Sequence, residues 1–159
     1  MNCKISSDLD ILDILNKKYN WIPGSNNIRP TEELILKKEN DLAIASNFYE
    51  SLTDYMYDLI FNFPTHLNSY GKLKVRIPNT IIKVFRENDY PYILPDNTFH
   101  YVMWYNTKEK IFSDELINKD IYNEILKLNL KSFEYVWYEN PKMSVADIYH
   151  VQVFFIKKN

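Results

Sequence analysis

The chain changes character part-way along, and this limits the folds open to it. Before Pro64 its apolar residues recur at helical spacing; after Gly71 the apolar runs turn β-branched and aromatic. In "DLAIASNFYESLTDYMYDLIFNF", Phe48, Leu52, Tyr55, Met56, Leu59 and Ile60 fall on one broad helical face, and Pro64 ends the pattern. "PTEELILKKE" opens a separate helix with Pro30, Thr31 and two glutamates, and "SSDLDILDILNKKY" is a short helix capped by Ser6 or Ser7. Beyond Gly71, "KLKVRIP" alternates as a strand, while "TFHYVMWYN", "FEYVWYE" and "IYHVQVFFIK" are strands by composition. "SDELINKDIYNEILKLNL" is a helix capped by Ser113. "NTIIKVFREN" pulls both ways, its β-branched residues towards strand and its Asn79 towards a helix cap, and the expectation is a two-turn helix. The fold class expected is α+β. N-terminal helices pack on a small, mostly antiparallel sheet, covering one face, and one helix crosses between two strands.

With 159 residues the chain fits one domain at roughly 100–200 residues per domain, its first 66 residues mainly helical and residues 72–157 carrying the sheet. Only Gly24 and Gly71 occur, which excludes glycine-rich phosphate loops. The net charge of -2, with both signs mixed along the chain, shows no basic stripe, so duplex nucleic acid is not an expected partner. A local basic stretch, "KLKVRIPNTIIKVFR", is the exception. One cysteine, Cys3, leaves no disulfide framework or cysteine zinc site. The acidic residues in "MNCKISSDLDILDIL" do not suit a signal peptide, and no apolar run nears the roughly 20 residues of a membrane span. The expectation is a cytoplasmic protein without a membrane partner.

Two histidines carry the chemical question. On a strand, His100 shares a face with Val102 and Trp104, and His150 with Gln152 and Phe154. Placed on neighbouring strands, the two imidazoles could meet in one cleft, one taking a proton while the other gives one, which suits phosphodiester cleavage. In two-histidine phosphoesterases each histidine is followed two residues later by Ser or Thr. Val102 and Gln152 hold those places here. The alternative is two histidines hydrogen-bonded within an aromatic core. No metal is expected, because no H-x-x-x-H or H-x-H spacing occurs and His66 lies apart. No cofactor is implied either.

"FRENDYPYILPDN" reads as a rigid loop, since Pro91 and Pro95 force the residues before them to be extended. It can hold Arg86, Asn88 and Asp89 over a pocket. Arg86 suits a phosphate or carboxylate through its two-pronged donor edge, and a local Arg86–Asp89 ion pair is the alternative. Tyr90, Tyr92, Trp104, Trp137 and Tyr138 suit stacking on a nucleobase or sugar, or packing in the core. Trp137 followed by Glu139 would allow a cap-like arrangement, a stacking ring beside a carboxylate.

"NDYPYILPDNTFHYVMWYN" followed by "FEYVWYENPKMSVADIYHVQVFF" resembles the fungal N-acetylglucosamine-induced proteins, over about residues 75 to 156. The shared pattern is an Asn–acid–aromatic–Pro–Tyr segment, a His, a strand Trp, an aromatic–Asn step, a Ser and a terminal His–Val. The resemblance implies a common site for Asn88, Asp89, Tyr90, Pro91, Tyr92, His100, Trp104, Asn140, Ser144 and His150. Tyr90 stands where Trp is more usual, and Tyr149 where some members carry a further His. The resulting expectation is a pocket for a small phosphorylated or nucleotide-like ligand. His100 and His150 would be its hydrogen-bonding or acid–base groups, with phosphoesterase chemistry as the enzymatic version. The other expectation is a non-catalytic module recognising a nucleotide, sugar or protein through its aromatics.

Overall fold

The computed structural model describes residues 31–94, 96–139 and 145–158. The expected first helix, in "SSDLDILDILNKKY", lies outside them. The described chain runs α1 (Glu32–Phe48), α2 (Leu52–Phe61), β1 (Thr65–Leu67), β2 (Leu73–Val75), β3 (Lys83–Glu87), β4 (Thr98–Tyr105), α3 (Asp114–Leu126), β5 (Phe133–Tyr138) and β6 (His150–Lys157). It is a single α+β domain.

The helical half divides differently from the expectation. Glu32 to Phe48 is one helix, started by Thr31, whose side chain accepts from the Leu34 amide at 3.2 Å. The break falls later, at Tyr49, which is extended, and Ser51 starts α2 by accepting from the Asp54 amide at 3.1 Å. Ser51 at an N-cap outweighs the continuous apolar face, because it pairs an amide that the first helical turn leaves without a partner. Asn62 closes α2 in the left-handed region at φ 55°.

Four strands form the main sheet in the order β3-β4-β6-β5, every neighbouring pair antiparallel. β4 and β5 therefore run parallel with β6 between them, and α3 makes the crossing. β1 and β2 form a separate hairpin whose turn uses Gly71 at φ 75°. His66 lies on β1, exposed to solvent.

"NTIIKVFREN" is no helix. Its Lys83–Glu87 part is an edge strand paired with Glu87 opposite Tyr101 and Lys83 opposite Tyr105. Asn106 continues the pairing beyond the strand end, its Oδ1 accepting from the Ile82 amide at 2.6 Å and its Nδ2 donating to the Thr80 carbonyl at 3.0 Å. Those tertiary bonds decide between two near-equal local preferences, and they do so in the direction its β-branched residues favour.

Helices cover both faces of the sheet, not one. On one face Ile117, Ile121 and Ile125 of α3 pack against Met103, Tyr105, Val151, Val153 and Phe155. On the other, Tyr57 and Ile60 of α2, with Phe63, pack against Val102 and Trp104. β6 is central, and His150 to Phe155 are all buried. This second face carries both histidines.

Candidate functional site

Register fixes where the histidines stand. His100 is opposite Phe154, Val102 opposite Gln152, and Trp104 opposite His150. All six side chains therefore share one face of the sheet. The imidazoles nevertheless do not converge on a common hollow. Four residues of β4 separate the His100 row from the His150 row, about 14 Å at strand rise, and the Val102–Gln152 row stands between. Each ring is stacked in its own place, His100 on Phe154 and His150 on Trp104, both with centroids 4.3 Å apart. They are only 4 % and 5 % exposed. One proton-transfer pair cannot be built from them in this arrangement.

His100 belongs to a closed polar network. The Tyr92 amide donates to its Nδ1 at 3.2 Å, so the proton of the neutral ring sits on Nε2. From there it is donated to Gln152 Oε1 at 2.7 Å. Asn88 Nδ2 donates to the same Gln152 oxygen at 3.1 Å and lies 3.3 Å from His100 Nε2. Asn88 Oδ1 in turn accepts from the Tyr90 amide at 2.8 Å, and the Asn88 amide donates to the His100 carbonyl at 2.9 Å. Burial pushes the His100 pKa down to about 4, with the Gln152 acceptor opposing it only in part. The imidazole is thus neutral near pH 7, and it braces the Asn88–Tyr92 loop.

His150 is held differently. Its Nδ1 donates to the Ile148 carbonyl at 2.7 Å, and burial lowers its pKa. Its lone pair is then on Nε2. Trp104, 7 % exposed and stacked on this ring, offers no face to a ligand.

The other residues separate by face. Tyr92 lies over His100 and Phe154, with centroid distances of 4.8 and 5.8 Å, and Tyr138 stacks on Phe154 at 6.2 Å. The Tyr138 hydroxyl is pushed well above its usual range by burial and by its bond to Tyr92. Trp137 is on the opposite face, where its Nε1 donates to Asn118 Oδ1 at 3.1 Å beside the Tyr135 hydroxyl, which donates to the same oxygen at 2.9 Å. Glu139 accepts from the Tyr149 hydroxyl at 2.6 Å. Trp137 and Glu139 are therefore not gathered with the His100 network. Asn140 and Ser144 lie outside the described residues.

Above the network, Arg86, Glu87, Asn88, Asp89 and Pro91 line a cleft of about 570 Å³. Arg86 donates through Nη1 to the Leu59 carbonyl at 3.0 Å and through Nη2 to Asp89 Oδ1 at 2.8 Å. Two of its five N–H groups are thereby engaged. Tyr90 turns from the loop to α1, its hydroxyl donating to Asp41 Oδ2 at 2.6 Å. Lys37 pairs with the same carboxylate oxygen at 2.9 Å. These two partners, Tyr90 first, hold the Asp41 carboxyl below its ordinary range.

Gln152 and Asp41 were not expected as partners of this loop. For Gln152 a signal exists in "HVQVFF": a polar residue at an inward strand position must have a partner when buried. Asp41 has none, being one polar residue among many on a helix surface.

No family model matches the chain, and no curated protein does. Among solved structures, that of HTC1 is similar at 13 % identity and a TM-score of 0.48, covering 93 % of this chain and 83 % of that one. Among the described residues no group of three His, Cys, Asp or Glu side chains could hold a metal ion, and no helix is long and apolar enough to cross a membrane.

Proposed function

We propose that this chain is a cytoplasmic, non-catalytic binding module for a small phosphorylated ligand, a sugar phosphate or nucleotide, taken into the Arg86–Pro91 cleft. One observation carries the reading: the inner polar atoms of the loop are tied into the buried His100 network, while its outer side chains line an open cleft. A rigid backing beneath a polar rim lowers the entropy lost on binding. Arg86 supplies the remaining donors of its fork for the phosphate, and Glu87 accepts from ligand hydroxyls. The loop is also the core of the segment that resembles the fungal N-acetylglucosamine-induced proteins, and we read that segment as a ligand-site motif. A phosphoesterase reading is less well supported, since neither imidazole faces the cleft as an acid or a base.

Titration of isotope-labelled protein with glucose 6-phosphate and with UMP, followed by NMR, tests the reading. The expected result is a set of saturable shifts at Glu87 to Pro91 for at least one probe, weakened about tenfold or more in Arg86→Ala. Arg86→Lys, which keeps the charge but loses the fork, is expected between the two. Absence of shifts at the loop for both probes overturns it. So does phosphomonoester turnover that His100→Ala abolishes without lowering the melting temperature, which would return the imidazole to chemistry.

A further inference from the structure

Two bonds of different kind hold the Arg86 guanidinium. Nη1 donates to the Leu59 carbonyl at 3.0 Å. That carbonyl belongs to the last turn of α2, where helix geometry leaves acceptors without an amide partner, so this bond anchors the side chain to the fold. Nη2 donates to Asp89 Oδ1 at 2.8 Å, between side chains that are 32 % and 33 % exposed. Arg86 and Asp89 line the same cleft, so Asp89 takes a donor there that an incoming anion would otherwise use. The backbone beside Asp89 is fixed. The Asn88 amide donates to the His100 carbonyl at 2.9 Å, and the Tyr90 amide to Asn88 Oδ1 at 2.8 Å. Release of Nη2 therefore needs only a turn of the Asp89 side chain. Beyond it Tyr90 faces α1, with Lys37 Nζ 5.2 Å and Lys38 Nζ 5.8 Å from its ring centroid. The Asp89 charge helps to raise the Lys37 pKa, so a carboxylate that leaves Arg86 stays within the field of another cation.

We infer that Asp89 determines the selectivity of the anion site: it is an internal carboxylate that occupies Arg86 in the ligand-free protein and yields to a phosphate but not to a carboxylate ligand. The inference rests on the cleft being a phosphate site. Asp89 is tethered three residues from Arg86, which gives it an effective concentration on the order of millimolar or more. A free carboxylate offers the guanidinium the same two oxygens and single charge without the tether, and loses the competition. A phosphate dianion brings a third oxygen and a second charge, and can take Nη2 together with the N–H groups still open. The exchange is of hydrogen-bond partners only.

NMR titration of the full chain with inorganic phosphate and with acetate tests this, at fixed ionic strength and slightly alkaline pH, where phosphate is largely dianionic. In the wild-type protein phosphate is expected to shift the loop and acetate is not. Asp89→Asn keeps the shape and removes the charge. It is expected to tighten phosphate about two- to fivefold, the scale of one exposed ion pair, and to let acetate shift the loop. Asp89→Ala is expected to act in the same direction. In an Arg86→Ala background Asp89→Asn should bring no gain, which separates competition for the guanidinium from a general loss of negative charge. Weaker phosphate binding in Asp89→Asn would make Asp89 a residue that positions Arg86 for the ligand, and overturns the inference. So does an equal gain without Arg86, or acetate binding as tightly as phosphate in the wild-type protein. In each of those cases phosphate still shifts the loop and the cleft reading stands. If phosphate shifts the loop in neither the wild-type protein nor Asp89→Asn, the cleft reading falls as well.

Discussion

His100 donates its Nε2 proton to Gln152 across the β4–β6 pair, at 2.7 Å, and the same Gln152 oxygen receives Asn88 from the loop above. A strand histidine and a loop asparagine thus share one acceptor atom, the Gln152 oxygen, beneath the candidate cleft. The Tyr92 amide fixes the tautomer from the other side. A ring so paired cannot deliver its proton to a ligand without breaking its bond to Gln152. The geometry makes His100 a positioning residue.

Acid should destabilise the protein through this ring. The folded-state pKa of His100 is about 4, below the ordinary value of 6.5, so the unfolded chain binds more protons between those values. The stabilising contribution is complete above pH 6.5 and is lost progressively as pH falls towards about 4. Its size is on the order of 3 kcal/mol. His150 adds in the same direction. Melting temperature measured across pH 4 to 7 should fall less steeply in His100→Gln than in the wild-type protein. Parallel curves would mean that the ring does not carry the linkage.

Gln152→Glu replaces a neutral acceptor by a carboxylate beside the Nε2 proton. The opposite charge favours the imidazolium, so the His100 pKa should rise from about 4 towards its ordinary value. NMR titration of the ring protons reads this directly. Gln152→Leu leaves two donors unpaired and should cost about 2 kcal/mol, seen as a lower urea midpoint.

Trp104 gives a third test, because its ring is packed between His150 and the α2 side of the core. Trp104→Ala should cost about 3–5 kcal/mol, and Trp104→Phe distinctly less. If the indole instead served a ligand, Trp104→Ala would weaken binding while sparing stability, and chemical denaturation separates the two.

Much of the sheet could be read from residue types, since "TFHYVMWYN", "FEYVWYE" and "IYHVQVFFIK" are β-branched and aromatic in every register. The same-face placement of His100 with Trp104, and of His150 with Gln152, also follows from period-two alternation. What alternation lacks is the offset between strands. A shift of the β4–β6 register by four residues would bring the two imidazoles opposite each other, and nothing local to either strand sets that value. Trp137 shows the same limit: its residue type suits a stacking site, but only the sheet order puts it on the α3 face. The break at Tyr49 was legible in Ser51 and Asp54, whose spacing is that of a helix start, and was hidden by an apolar face running through both helices. The strand at Lys83 depended on Asn106, a residue over twenty positions away.

α1 is attached to the loop mainly by polar contacts. Of its seventeen residues only Ala45 is buried, while Leu36 and Phe48 are about 60 % exposed. Among the described residues apolar burial therefore contributes little to holding its first half, and the Tyr90–Asp41–Lys37 contact is the main tie there. Tyr90→Phe removes the hydroxyl donor and keeps the ring under both lysines. The expected cost is about 1 kcal/mol, too small to unfold a domain whose core lies on β6. Its effect should be local instead. Amide exchange should quicken in residues 35–44 of α1 and stay unchanged in β4 and β6, because opening of a weakly held element is governed by its own contacts. Asp41→Asn, which retains an acceptor for the Tyr90 hydroxyl but frees Lys37, should show a smaller increase. Uniform quickening across α1 and the sheet would mean that the helix and the core open together, and that the contact at Tyr90 is not what holds α1 in place.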